Sequence, residues 1–117
     1  MMGQAAPSLD IPITKGTSGV VAFTDTEAEH THRRTYPCIR CGYCVDACPI
    51  FLNPSDLGIL AANREYERMA GEFHLMDCFE CGSCSFVCPS HIPLVQQFRL
   101  AKQAVRKAQA ARSEAAA

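Results

Sequence analysis

Apolar residues recur at intervals of three and four in two stretches of this 117-residue chain. In the first, Ile59, Ala62, Tyr66, Met69 and Phe73 form a stripe widened by Leu57, Leu60 and Ala61. Asn63, Arg64, Glu65, Glu67 and Arg68 fill the other side. That rhythm predicts one amphipathic helix of about four turns, its stripe serving as core rather than as a cofactor surface. Asn53-Pro-Ser-Asp56 supplies the start, with a capping side chain, a proline suited to the first turn and an early acid. Gly71 supplies the stop. In the second stretch, Leu94, Phe98, Ala101, Val105 and Ala108 keep the same rhythm, with Ser90 as N-cap and Pro93 in the first turn.

Upstream the pattern changes. Ile11-Pro-Ile-Thr14 and Val20-Val-Ala-Phe-Thr24 are short β-prone runs separated by Lys15-Gly-Thr-Ser-Gly19, which predicts a β hairpin with the glycines in its turn. Two strands alone are marginal in water. They therefore lie against the rest of the chain or end a larger preceding domain. Asp25–Glu29 is acidic and runs into His30-Thr-His32-Arg33-Arg34, read as a solvated linker.

The remaining pattern fits neither helix nor strand. All eight cysteines fall in two runs, Cys38-Ile-Arg-Cys41-Gly-Tyr-Cys44-Val-Asp-Ala-Cys48-Pro49 and Cys78-Phe-Glu-Cys81-Gly-Ser-Cys84-Ser-Phe-Val-Cys88-Pro89. Both read C-x2-C-x2-C-x3-C-P, the spacing of bacterial two-cluster ferredoxins, in which the fourth cysteine ligates the other cluster. On that rule Cys38, Cys41, Cys44 and Cys88 hold one [4Fe–4S] cluster, and Cys78, Cys81, Cys84 and Cys48 hold the other. Gly42 and Gly82 allow the backbone to wrap a cube closely, and Pro49 and Pro89 turn the chain after each run. With four cysteines per cube, His74 and His91 are read as surface or packing residues. The rival metal, zinc, uses C-x2–4-C pairs rather than this triplet, and a disulfide framework suits an exported chain.

Composition changes this picture little. The net charge of −1 gives no argument for nucleic acid. The N-terminus lacks the basic and apolar regions of a secretory signal, and no apolar run is long enough to span a membrane. Eight cysteines without such a signal favour metal ligation in the cytoplasm. Arg33, Arg34 and Arg40 sit near the first run, where cations would raise a cluster's potential, or they are ordinary surface arginines. Arg99, Lys102, Arg106, Lys107 and Arg112 carry five positive charges on the last helix. Solvent, an anionic lipid surface or an acidic partner would each suit them; a docking or solvated helix is favoured because the apolar stripe beyond Phe98 is thin.

The expected architecture is thus mainly α, an all-helical two-cluster [4Fe–4S] ferredoxin-type domain with a short N-terminal β hairpin. Residues 1–35 form a strand segment and linker ending a preceding domain, 36–100 the cluster domain, and 101–117 a basic, alanine-rich helical tail.

The two cysteine runs, Asp77 before the second, Ser90-His-Ile-Pro-Leu-Val-Gln-Gln-Phe-Arg99 after it and Lys15-Gly-Thr-Ser-Gly19 upstream carry a resemblance. The chain resembles the C-terminal part of the C subunit of the Rnf electron-transport complex, an ion-translocating ferredoxin:NAD oxidoreductase. Met1-Met-Gly3 resembles the interior of a glycine-rich segment of that family. The resemblance implies electron transfer through two clusters, on the cytoplasmic side and peripheral to the inner face of the cell membrane. It implies as partners the other subunits of a membrane complex and ferredoxin-like and flavin-bearing redox proteins. FMN and NAD(H) are bound upstream in that family; no glycine-rich nucleotide loop is present here, so these cofactors are expected in another part or a partner, with no complete active site in this chain. The alternative setting is the helical iron–sulfur subunit of a succinate or heterodisulfide reductase type of enzyme.

Overall fold

A computed structural model describes Ala6, residues 8–22 and residues 34–115. The chain divides into two units, residues 3–34 and the remainder from Thr35. In the first, the described segment is irregular, with a turn at Lys15–Gly16 closed by the Thr17 amide donating to the Thr14 carbonyl at 3.0 Å. The Thr14 amide in turn donates to Thr17 Oγ1 at 3.1 Å. The predicted glycine-containing turn is there, but the β hairpin is not: no strand occurs among the described residues. Ile13, Val20 and Val21 are exposed, so the two runs lack the apolar burial that holds a ladder together. Phe23, Thr24, the acidic segment and His30, His32 and Arg33 lie outside the described residues.

The second unit is helical. Its elements are α1 (Tyr43–Asp46), α2 (Pro54–Ala62), α3 (Tyr66–Gly71), a 3-10 turn (Leu75–Asp77), α4 (Ser83–Phe86) and α5 (Leu94–Ala115). As predicted, α2 starts on Asn53, whose Oδ1 accepts from the Asp56 amide at 3.3 Å, with Pro54 in its first turn. The single four-turn helix does not form. At Arg64, φ is 59°, and the Arg64 and Glu65 amides donate back to the carbonyls of Ala61 and Leu60 at 3.1 and 3.0 Å. This is a Schellman cap with arginine where glycine is usual. It ends α2 and redirects the chain into α3, which packs on α5 instead of extending away from it.

The long helix α5 forms as the periodicity predicts, but Ser90 does not cap it. Its hydroxyl donates to the Pro37 carbonyl at 2.9 Å, tying the second run to the segment before the first. The N-terminus of α5 is instead satisfied from another element, the Val95 amide donating to Ser85 Oγ at 3.0 Å. The helix runs unbroken past residue 101, and Ala101, Lys102 and Val105 are buried on it.

Phe98, Leu57, Met69 and Leu75 are the largest fully buried side chains, so the core lies where α2, α3 and the 3-10 turn meet α5. Gly58 permits the close crossing of α2 and α5. A Cβ there would come within 2.6 Å of Leu94 Cδ2. This helical wall is the surface on which the two cysteine runs sit.

Candidate functional site

The two runs trace one loop twice. Residues 40 positions apart (38 to 78, 48 to 88) share a backbone conformation. Arg40 and Glu80 have φ of 55° and 63°, Gly42 and Gly82 of 84° and 89°, and Phe51 and His91 of 56° and 51°. The first and last pairs sit in the small left-handed region open, at a cost, to any residue; the glycines lie beyond it, where a Cβ is disfavoured. Each glycine precedes a single-turn helix, α1 or α4, that carries the third cysteine of its run. The Arg40 amide donates to Cys38 Sγ at 3.4 Å, and the Glu80 amide does the same for Cys78. The helices α1 and α4 pack on each other, setting the runs side by side.

Two cavities result. The first, of about 360 Å³, is lined by Cys38, Cys41 and Cys44 from one run and Cys88 from the other. The second is lined by Cys78, Cys81 and Cys84 together with Cys48. It is tighter, about 20 Å³, so its four sulfurs must spread to admit anything larger than a water-sized ion. Among the described residues no three Cys, His, Asp or Glu side chains converge on a point as ligands of one ion do; the sulfurs stand around spaces. The stripe of α2 is not wholly core. Ile59 and Ala62 face the first cavity, and Leu57 walls the second. His74 is exposed, beside Asp77 at 3.9 Å, and His91 is partly buried.

Burial favours the protonated form at three of the thiols. It pushes up Cys44 and Cys78, despite amide hydrogen bonds to their sulfurs, and Cys84 to about 11. Cys81 is the exception, drawn down by the Ser83 hydroxyl 3.5 Å away. Metal must therefore displace protons to bind here. The donor chemistry fits: four thiols per cavity, with largely apolar side chains around them.

The basic helix is not a free cationic face. Arg99 Nε donates to Glu80 Oε2 at 2.8 Å, and the buried Lys102 donates to the Cys78 carbonyl and to Glu80 Oε1, the latter at 3.2 Å. Burial opposes ionisation of Glu80, but the hydrogen bonds and charges of Arg99 and Lys102 outweigh it and hold the carboxyl below its usual range. Arg112 pairs with Glu67 on α3. Arg106 and Lys107 are exposed, as are Arg34 and Arg40, the latter at the rim of the first cavity. Sequence reasoning missed the clasp of α5 on the second run. The signal was there: Arg99 and Lys102 are three apart, and Lys102 adjoins Ala101 on the apolar stripe.

Residues 37–92 of this mainly helical domain, which hold both four-cysteine sets, match the family model of the 4Fe-4S dicluster domain. Over most of its length the chain is homologous to the C subunits of ion-translocating oxidoreductase complexes, so the resemblance carried by the cysteine runs and their flanks is borne out. It is 43% identical over 108 residues to the C subunit of the proton-translocating ferredoxin:NAD(+) oxidoreductase complex of Clostridium ljungdahlii, covering 92% of this chain and 23% of that protein. It is 40% identical over 102 residues to the C subunit of the ion-translocating oxidoreductase complex of Rhodobacter capsulatus (87% and 19%). The equivalent protein of Pasteurella multocida is 41% identical over 103 residues (87% and 12%). The chain thus spans less than a quarter of the length of these relatives. Among the described residues no helix is long and apolar enough to cross a membrane.

Proposed function

We propose that this chain relays single electrons through two [4Fe–4S] clusters, as the iron–sulfur part of the C subunit of an ion-translocating ferredoxin:NAD oxidoreductase. Cys38, Cys41, Cys44 and Cys88 hold one cluster, and Cys78, Cys81, Cys84 and Cys48 the other. The observation that carries this reading is the pairing of each triplet with the fourth cysteine of the other run around a shared cavity. When bound, such a cube takes up and releases one electron at a potential set by its ligands, hydrogen bonds and exposure.

The chain's own part is to hold and shield. The left-handed glycines bring each loop around its cavity, the amides at positions 40 and 80 donate to ligand sulfurs, and Leu52, Leu57, Val95 and Phe98 keep water from the second cavity. FMN and NAD(H) act in another part of the subunit or in a partner. The domain sits on the cytoplasmic side, peripheral to the membrane, between flavin-bearing and ferredoxin-like partners in the complex.

Anaerobically purified protein tests the reading. About eight irons and eight acid-labile sulfides per chain, with spin coupling between clusters in the EPR spectrum of the reduced protein, are expected. Zinc in place of iron, or iron for one cube only, would overturn it.

A further inference from the structure

The two cavities are built on one plan but meet different faces of α5. Val95 and Phe98 wall the second, whereas Leu94 and Gln97 reach the first. Gln97 is the outlier. Its Oε1 is sealed from solvent and has no hydrogen-bond partner, which holds for no other buried side-chain oxygen or nitrogen among the described residues. The amide end is seated over the backbone of α2, with Oε1 4.0 Å from where a Cβ on Gly58 would stand. Both serines around that cavity are engaged elsewhere: Ser90 with the Pro37 carbonyl, and Ser55 with Asn53 Oδ1 at 2.9 Å.

An orphaned acceptor is costly in a buried site. The sealed end is the oxygen, packed against α2; the nitrogen at the other end of the amide carries two N–H donors, and the thiolates of the cavity that Gln97 lines are acceptors. Hydrogen bonds to cluster and ligand sulfurs stabilise the more negative, reduced state and raise the potential.

We propose that Gln97 is a positioning residue for the cluster at Cys38, Cys41, Cys44 and Cys88: its side-chain amide donates to a sulfur there and raises the potential of that cluster alone. The proposal rests on the ligand reading above. At the second cavity α5 supplies Val95 and Phe98, neither of them a donor, and Lys102 reaches the Cys78 carbonyl rather than a sulfur.

The test is an EPR-monitored redox titration of wild type, Gln97→Met and the exposed neighbour Gln96→Met, all anaerobically loaded. The signal absent from Cys44→Ala identifies the first cluster. Gln97→Met should weaken reduction of that cluster about tenfold, a fall of about 59 mV for one electron, while the other cluster and Gln96→Met stay at wild-type values. In wild type labelled with side-chain 15N-glutamine, pulsed EPR should show one amide nitrogen coupled to that cluster, and Gln97→Met should abolish it. A shift below twofold, an equal shift of both clusters or no coupling in wild type would overturn the proposal. Should Gln97→Met fail to load, the wild-type coupling decides. Wild type without iron would sink the ligand reading itself; with both clusters present, a negative outcome falls on Gln97 alone.

Discussion

Lys102 offers a sharp test of how α5 holds the second cysteine run. Its ammonium is buried, with the residue 5% exposed, against the Cys78 carbonyl and Glu80, and Glu80 also holds Arg99. Lys102→Met keeps the stem and removes the charge. The lost hydrogen bond from a charged donor is worth about 1.5–3 kcal/mol. Against it, the desolvation of the ammonium, several kcal/mol, is relieved, and Glu80 keeps Arg99 at 2.8 Å. The two nearly cancel, leaving a net change within about 1 kcal/mol of zero. Glu80→Gln approaches the same pair from the other side and leaves the buried ammonium with neutral acceptors only. Breaking a fully buried pair costs about 3–5 kcal/mol; with the Glu80 side chain 26% exposed, screening lowers this to about 2–3 kcal/mol. The double variant removes the stranded charge and should cost less than the sum of the singles. Cluster loss makes unfolding irreversible, so the assay is the anaerobic rate at which cluster absorbance bleaches in guanidinium chloride. Lys102→Met should change the bleaching rate by less than about fivefold, and Glu80→Gln should speed it more than tenfold. Equal rates, or the reverse order, would refute the idea that the buried ammonium is the costly partner to strand.

Further variants probe the frame. Gly42→Ala meets no atom but must hold φ near 84°, which should cost about 1–2 kcal/mol and lower iron retention on dilution; Arg40→Ala, in the ordinary left-handed region, should cost less. Gly58→Ala drives a methyl to 2.6 Å from Leu94. Overpacking of about 1–3 kcal/mol offset by about 1 kcal/mol of helix propensity predicts a modest net loss in Tm, relieved when Leu94→Ala is added. Phe98→Ala, at 1% exposure beside the second cavity, should cost about 3–5 kcal/mol and release iron fastest of these variants.

The grouping of each cysteine triplet with the fourth cysteine of the other run and the helical class were legible because the cysteine spacing carries the first, and Asn53-Pro54 and the stripe of α5 are local signals of the second. What escaped notice was set by tertiary contact. Nothing local marks Arg64 as a left-handed cap, since arginine is a good helix former; α2 ends there because α3 must turn back onto α5. Ser90 looks like a cap and spends its hydroxyl on Pro37, while the capping oxygen comes from Ser85 on another helix. Arg99 and Lys102 read as surface charge until Glu80 is seen facing them across the fold. The β-prone runs show the opposite failure: among their described residues Ile11, Ile13, Val20 and Val21 are exposed, so no burial backs the local preference.

The crossing of the fourth cysteines is what makes two sites out of two runs. Four single variants, Cys44→Ala, Cys48→Ala, Cys84→Ala and Cys88→Ala, compared by EPR of the reduced, anaerobically loaded proteins, decide it. Cys48→Ala should lose or convert the same signal as Cys84→Ala, and Cys88→Ala the same signal as Cys44→Ala. Cys48→Ala grouping with Cys44→Ala instead would mean that each run closes its own cluster, and the crossed site would be wrong.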